Sequence, residues 1–474
     1  ILCICDKSCQ CPKEGDTSKA AEPWIPHPVP LRCPKVSKTR LADIVYCGRR
    51  ISQKPVYLID DAHLCKDVDV TELDGVVILI YPSPSKPPSR RFVEVQILPF
   101  RFIETVEVLR RDIRSKLTEL KHYETEDRLS NLQNLEKLNE IINKLDEVKD
   151  QLDDVLKYYL LYGGTAWGIE LTARCLSNEE PPHVAEPAVG GHLSDKRESE
   201  LCQEPPVAFF DTIDEILEDA REYGVRPEVV KAVLYSAAER VFEKGLEVGD
   251  IYEEVRNLAQ EIANVKVETK DIRTAIDYLR NSHVLFTIKK EKLSKSQKEE
   301  GGGDSKSDSH FKIVFSDPRY ALGAYMHYQH TLHGTTYVDA YYKVKNEIMD
   351  QRMGQPDRVA HYLESIFLAN VALGVYALVT SYDRPDRGHL PDKFVKYLKN
   401  GWEIDAYVTI KRRDRPISFL AEFSINYDGS HVEKCSEAAK RLNTYCIYAV
   451  YKESEVRLED NVLITPLSLF LALL

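Results

Sequence analysis

The chain has 474 residues, 43% of them hydrophobic and 30% charged, with a formal net charge of -12. That length exceeds what one hydrophobic core serves, so about two to four domains are expected. The acidic balance excludes a chain that coats nucleic acid as a polyelectrolyte, and any DNA contact must come from a local basic patch. The apolar runs, including Leu463–Leu474 with its Pro466, fall short of the roughly 20 residues a membrane span needs. No basic stretch leads into an apolar one at the start, as a secretory signal would require. A soluble cytoplasmic protein without membrane association is therefore expected.

Eleven cysteines is a high count, and Cys3, Cys5, Cys9 and Cys11 cluster, with Cys33 and Cys47 following. Four thiolates satisfy a tetrahedral zinc or iron–sulfur site, but the spacing differs from the common C-x₂-C knuckle. A metal, a disulfide and inert thiols all stay open.

Residues 1–105 read as β-rich α/β, with strands at Val56–Ile59, Val76–Tyr81 and Phe92–Ile97. The first runs into Asp60-Asp61. At the carboxyl edge of a P-loop ATPase sheet, such a pair divides its work: one acid serves Mg²⁺ and the other orients the attacking water. A solvated Asp-Asp turn is the alternative. After the second strand Ser83 occupies a phosphate-sensor position or a plain Pro/Ser turn. The phosphate cradle G-x-x-x-x-G-K-[ST] is missing, because no Gly-Lys dipeptide occurs in the chain. Ser37-Lys38-Thr39 lacks the preceding glycine. The segment reads as a partial ATPase core without its first strand and phosphate loop, Ile1–Cys5 being an interior strand.

Residues 106–175 form a helical lid or hairpin. Leu138, Ile141, Leu145, Val148, Leu152 and Val155 recur at alternating spacings of three and four, a stripe short for a dimeric coiled coil and suited to packing on its own domain. Tyr162-Gly163-Gly164 breaks the helix, and 176–206, rich in Glu, Pro, Gly and Ser, is a linker.

Residues 207–320 hold amphipathic helices, of which Thr269–Asn281 is the clearest. Ile272, Ile276 and Leu279 share one face, and Lys270, Arg273 and Arg280 lie on the other or at its flank. Strands at Val284–Ile288 and Phe311–Phe315 bracket a Lys/Ser/Gly tract, which makes the winged variant of helix-turn-helix. Between Lys266 and Lys312 there are 11 Lys/Arg against 8 Asp/Glu, a local +3. Lys270, Arg273 and Arg280 are the candidate DNA contacts, and a winged helix used for protein contacts is the alternative. His327, His330 and His333 follow at i, i+3 and i+6 without an evident fourth ligand.

Residues 321–474 alternate helix and strand. Glu364 falls on an amphipathic helix (Val359–Leu378), Asp405 on the strand Trp402–Val408, and Glu422 on the strand Ile417–Phe423. A charged helix (Val432–Leu442) and a strand (Cys446–Tyr451) complete the unit. Three acids on a helix and two successive strands suit Mg²⁺-dependent phosphodiester hydrolysis, with Asp405 and Glu422 as metal ligands. Solvated acids on exposed faces are the alternative. The lysine usual two residues after the last acid is Ser424 here, and Lys434 on the next helix is the substitute.

Taken in order, the Asp60-Asp61 strand, Leu98-Pro99-Phe100-Arg101-Phe102, Tyr162-Gly163-Gly164, the winged helix, Asp317-Pro318-Arg319 and Glu364–Asp405–Glu422 resemble a family of archaeal AAA-type P-loop ATPases. Their C-terminal domain is similar to restriction endonucleases of the PD-(D/E)xK type. The resemblance spans about 50 to 474. It implies an α/β multidomain protein with a truncated parallel sheet, helical lid, winged helix and nuclease-like domain. It also implies ATP and Mg²⁺ as cofactors, DNA and further copies of the chain as partners, and Asp60, Asp61 and Ser83 as the ATPase residues. Asp61 stands where the family more often has Glu. The expected function is that of a DNA-associated ATPase-like protein, degenerate or N-terminally incomplete. A non-catalytic DNA-binding scaffold and a metal-dependent nuclease regulated by its ATPase-like part are the alternatives.

Overall fold

The computed structural model describes residues 56–59, 76–79 and most of the chain from 98 to 474. The exceptions in that stretch are 123–124, 180–207, 249–250, 292–310, 350–356, 383–390, 400–402, 411–415 and 454. The chain divides into two units, Ile1–Ile97 and Leu98–Leu474. In the first, β1 (Val56–Ile59) pairs parallel with β2 (Val76–Leu79), Val56 opposite Val76. Parallel neighbours demand a crossover connection, as in α/β architecture. Asp60, Asp61, Ser83, the strand expected at Phe92–Ile97 and the cysteines from Cys3 to Cys47 lie outside the described residues.

The second unit opens with helices α1 (Phe102–Leu109), α2 (Arg111–Glu119), α3 (Thr125–Asn131), α4 (Leu135–Leu145), α5 (Lys149–Tyr162) and α6 (Ala166–Glu179). Leu138, Ile141 and Leu145 of α4 and Leu152 and Val155 of α5 are all buried. The apolar stripe thus packs into its own unit, and a 3₁₀ turn at Asp146–Val148 interrupts it.

Three short motifs meet beyond α5. The Gly164 N–H donates to Asp317 Oδ2 at 2.7 Å, and its carbonyl accepts from the Phe100 N–H at 2.9 Å. The other Asp317 oxygen caps the following helix through the Arg319 N–H at 2.8 Å. Gly163 sits at φ +74°, and a Cβ there would lie 2.0 Å from Asp317 Oδ1. Only glycine lets the backbone pass so close to a buried carboxylate.

Next come α7 (Ala208–Glu222), α8 (Pro227–Glu239), β3 (Glu247–Val248), α9 (Ile251–Ala263), α10 (Thr269–Asn281), β4 (Leu285–Lys290) and β5 (Phe311–Phe315). α10 begins where Glu268 and Asp271 cap its first turn reciprocally. It buries Ile272, Ala275, Ile276 and Leu279, the spacing of one helical face. β4 and β5 form the expected antiparallel pair, Leu285 opposite Phe315, and β3 pairs antiparallel with the far side of β5.

The remainder is α11 (Pro318–His333), α12 (Tyr337–Met349), α13 (Asp357–Tyr382), β6 (Val395–Lys399), β7 (Glu403–Ile410), β8 (Ile417–Ser424), α14 (Gly429–Leu442), β9 (Cys446–Val450), β10 (Arg457–Glu459), β11 (Val462–Pro466) and α15 (Leu467–Leu473). A disulfide between Cys435 and Cys446 ties α14 to β9. α13 is no amphipathic helix: Tyr362, Ile366, Phe367, Val371 and Val375 are buried around its circumference. It is long and apolar enough to cross a membrane by length and composition, and 78% of that stretch is buried inside the unit. Its place here is that of a central core helix.

One nine-stranded mixed sheet runs β10-β11-β9-β8-β7-β6-β4-β5-β3. The boundary expected near residue 320 therefore crosses a continuous sheet, since β4 pairs parallel with β6 through Lys289 opposite Lys396. Lys290 opposite Tyr397 is the second β4–β6 pair, and the Arg280–Asp392 and Lys312–Asp405 ion pairs also cross that boundary. α13 packs on β5, β7 and β8 alike, so strands far apart in sheet order approach one another across it.

Candidate functional site

The three acids named from the sequence come together, each delivered by a different element. Glu364 lies on α13, Asp405 on β7 and Glu422 on β8. β7 and β8 are antiparallel, and their carboxylates cross the seam: the Asp405 N–H donates to Glu422 Oε2, and the Phe423 N–H to Asp405 Oδ2, both at 3.0 Å.

The cation among them is Lys312 of β5. Its Nζ lies 2.7 Å from Asp405 Oδ1 and 2.8 Å from Glu364 Oε1, with Glu403 at 4.0 Å. The Lys312 side chain is 4% exposed. An ammonium so deeply buried persists only with such partners. Burial alone would lower its pKa, but Asp405 and Glu364 raise it well above the ordinary lysine value. The Glu364 carboxyl is likewise pushed up by burial, yet Lys312 outweighs this and holds it down to about 2. Asp405 moves the other way: burial, then the neighbouring Glu422 charge, raise it well above the usual carboxylate range.

Two histidines flank the cluster. His431 Nδ1 donates to Glu422 Oε1 at 2.7 Å, and that bond raises the imidazole pKa. Its ring stacks parallel on Tyr448, with centroids 5.6 Å apart. On the far side His361 Nδ1 lies 3.6 Å from Glu364 Oε2.

The other expected residues are placed as follows. Ser424 takes the lysine position, but its hydroxyl is bonded to the Asn426 carbonyl and the Tyr448 hydroxyl, both at 2.6 Å. Lys434 is exposed on α14, and it is Lys312 that makes the ion pairs with the trio. Lys270 and Arg273 are exposed on α10, Arg273 lying over the Tyr252 ring at 5.8 Å. Arg280 turns inward: its Nη2 pairs with buried Asp392 at 2.8 Å, and Asp392 also accepts from the Thr287 N–H. The histidines of α11 do not converge. His330 stacks on Tyr337, and His333 packs edge-on against Tyr328.

A Mg²⁺ ion does not fit the trio as it stands. It needs unencumbered oxygens in octahedral array, whereas all six carboxylate oxygens face Lys312, a histidine or a backbone N–H. Among the described residues no group of three or more His, Cys, Asp or Glu side chains is arranged to hold a metal ion.

The signal for Lys312 was present in Phe311-Lys312-Ile313-Val314-Phe315, a lone cation inside an otherwise apolar strand. Such a residue calls for a buried partner. His431 and His361 had no comparable signal.

No family model, no curated protein and no solved structure matches this chain.

Proposed function

We propose that this is an ATPase-like, DNA-associated protein of the cytoplasm whose Leu98–Leu474 unit docks on duplex DNA through α10 and the β4–β5 hairpin. The observation that carries the reading is topological. α8, β3, α9, α10, β4 and β5 follow in that order, and the strands lie side by side as β3-β5-β4. That is the element order of a winged helix, which lays its last helix in the major groove. Lys270 and Arg273 are exposed on that helix, and Lys289 is exposed on β4 just before the tract carrying Lys292, Lys295 and Lys298.

Within this reading the trio Glu364, Asp405 and Glu422 is nuclease-like in layout and does not cleave. Lys312 is ion-paired with Glu364 and Asp405, and Ser424 stands where a lysine would polarise water. ATP and Mg²⁺ belong to the first unit, with Asp60 on the metal side, Asp61 orienting water and Ser83 sensing the phosphate. They require a phosphate loop that no Gly-Lys dipeptide in this sequence provides. Further copies of the chain are the assembly that ATPases of this kind imply.

A fluorescence-anisotropy titration of the protein with a labelled duplex tests the reading. Binding at low salt that weakens steeply as salt rises is expected, because neutralised phosphates release counterions. A second reading, protein contacts through the same helix, draws on Asp271 and Asp277, which balance Lys270 and Arg273 along α10. It predicts no duplex binding at any salt.

A further inference from the structure

We infer that Lys312 is an internal counter-ion that closes the carboxylate trio against divalent cations, so that the hairpin strand β5 acts as an autoinhibitory contact on the C-terminal site. The inference rests on reading the trio as nuclease-like and adds how it is held shut.

Glu364 gives Oε1 to Lys312 and has His361 beside Oε2. Asp405 gives Oδ1 to Lys312 and Oδ2 to the Phe423 N–H. Glu422 gives Oε2 to the Asp405 N–H and Oε1 to His431. A surface cluster of acids leaves its oxygens to water, whereas here five of the six accept a hydrogen bond and the sixth, Glu364 Oε2, lies 3.6 Å from His361 Nδ1. An incoming cation would have to displace an ammonium already ion-paired with two of the three acids. Mg²⁺ in particular dehydrates reluctantly and holds strict octahedral geometry.

The origin of the lysine gives the closure its second feature. Lys312 comes from none of the elements that carry the acids. It sits on β5, whose residues are buried on both faces, where its backbone pairs with Glu247 of β3 and Ile288 of β4. Its ammonium lies 5.5 Å from the centre of the Tyr397 ring, which with Glu247 and Lys399 walls the same space. Opening the trio takes the Lys312 ammonium out of both ion pairs and away from the Tyr397 ring, which couples the site to the hairpin read above as the DNA-binding wing.

Thermal unfolding of the whole protein with and without excess Mn²⁺, together with Mn²⁺ electron paramagnetic resonance, tests the closure. Wild type should show no Mn²⁺-dependent shift and no bound ion. The Lys312→Met variant should melt lower than wild type in chelator, recover several degrees with Mn²⁺, and bind one ion per chain that Asp405→Asn removes. Should Lys312→Met not fold, wild type with Lys312→Gln keeps the comparison. Mn²⁺ bound by wild type and lost in Asp405→Asn would overturn the inference, as would a folded Lys312 variant that takes up none. Plasmid incubation separates the two levels. Uptake by the variant supports closure, and uptake with plasmid cleavage overturns the reading of the trio as non-cleaving, whereas no uptake removes closure whatever the duplex-binding result.

Discussion

Lys312 Nζ and Asp405 Oδ1 lie 2.7 Å apart although 93 residues separate them in the chain. The contact joins the β4–β5 hairpin to the strand that carries the central acid. It also changes the meaning of the three carboxylates, two of which are ion-paired to a buried lysine. The expected chemical consequence is the absence of cleavage. Supercoiled plasmid incubated with the wild-type protein and Mg²⁺ or Mn²⁺ should show no nicking above the level of Asp405→Ala. Nicking lost in Asp405→Ala would show that the trio works as it stands.

The Gly163–Asp317 junction makes a separate stability prediction. Gly163→Ala places a methyl group 2.0 Å from Asp317 Oδ1 at a backbone with φ +74°. That conformation is nearly restricted to glycine, and strain of about 1–3 kcal/mol adds to the clash. Denaturant unfolding should show a loss above about 3 kcal/mol or failure to fold. A variant within about 0.5 kcal/mol of wild type would mean the turn is not built this way.

Arg280 and Lys270 should separate cleanly. Arg280→Ala leaves Asp392, whose side chain is 1% exposed, without its ion-pair partner. Removing one member of a buried pair costs about 3–5 kcal/mol. Lys270→Ala, on the exposed face of α10, should change stability by less than about 0.5 kcal/mol. Equal effects in urea unfolding would contradict the placement of Arg280.

Opposing groups set the pH dependence of stability. Burial pushes Asp317 up to about 6, against an ordinary 3.8. The native state therefore holds that proton more tightly, and the stability Asp317 contributes is full below pH 3.8 and lost as pH rises through 6. Burial depresses His122 and His283 to about 4 from 6.5. Their contribution has the opposite sign, present above 6.5 and lost as pH falls toward 4. Asp317→Asn removes one term, so its unfolding free energy should rise with pH more steeply than wild type between 4 and 6. The limit is about 1.4 kcal/mol per pH unit for one proton. Parallel curves would mean that Asp317 titrates normally.

Much of this fold was legible where one surface of an element decides its conformation. The boundaries of α10 and β5 follow from periodicity, and the three acids stood out because each interrupts or flanks an apolar segment. What escaped depends on distant chain. Arg280 reads as a surface cation until Asp392 arrives 112 residues later. Lys312, a lone cation in an apolar strand, calls for a buried partner, but its partners Glu364 and Asp405 lie 52 and 93 residues further along the chain. β6, with Lys396 and Lys399 three residues apart, carries no regular alternation that declares its burial. α13 reads as amphipathic because Glu364, Ser365 and Asn370 sit on it, yet each of these polar groups finds its partner inside the unit.

The most direct test of the account is the salt dependence of duplex binding, compared between wild type and Lys270→Ala/Arg273→Ala. Each lost phosphate contact should lower the slope of log K against log salt by about 0.9, so the double variant should bind more weakly and fall by nearly two units. An unchanged slope, or no duplex binding by wild type at low salt, would contradict the assignment of α10 as the DNA-reading helix.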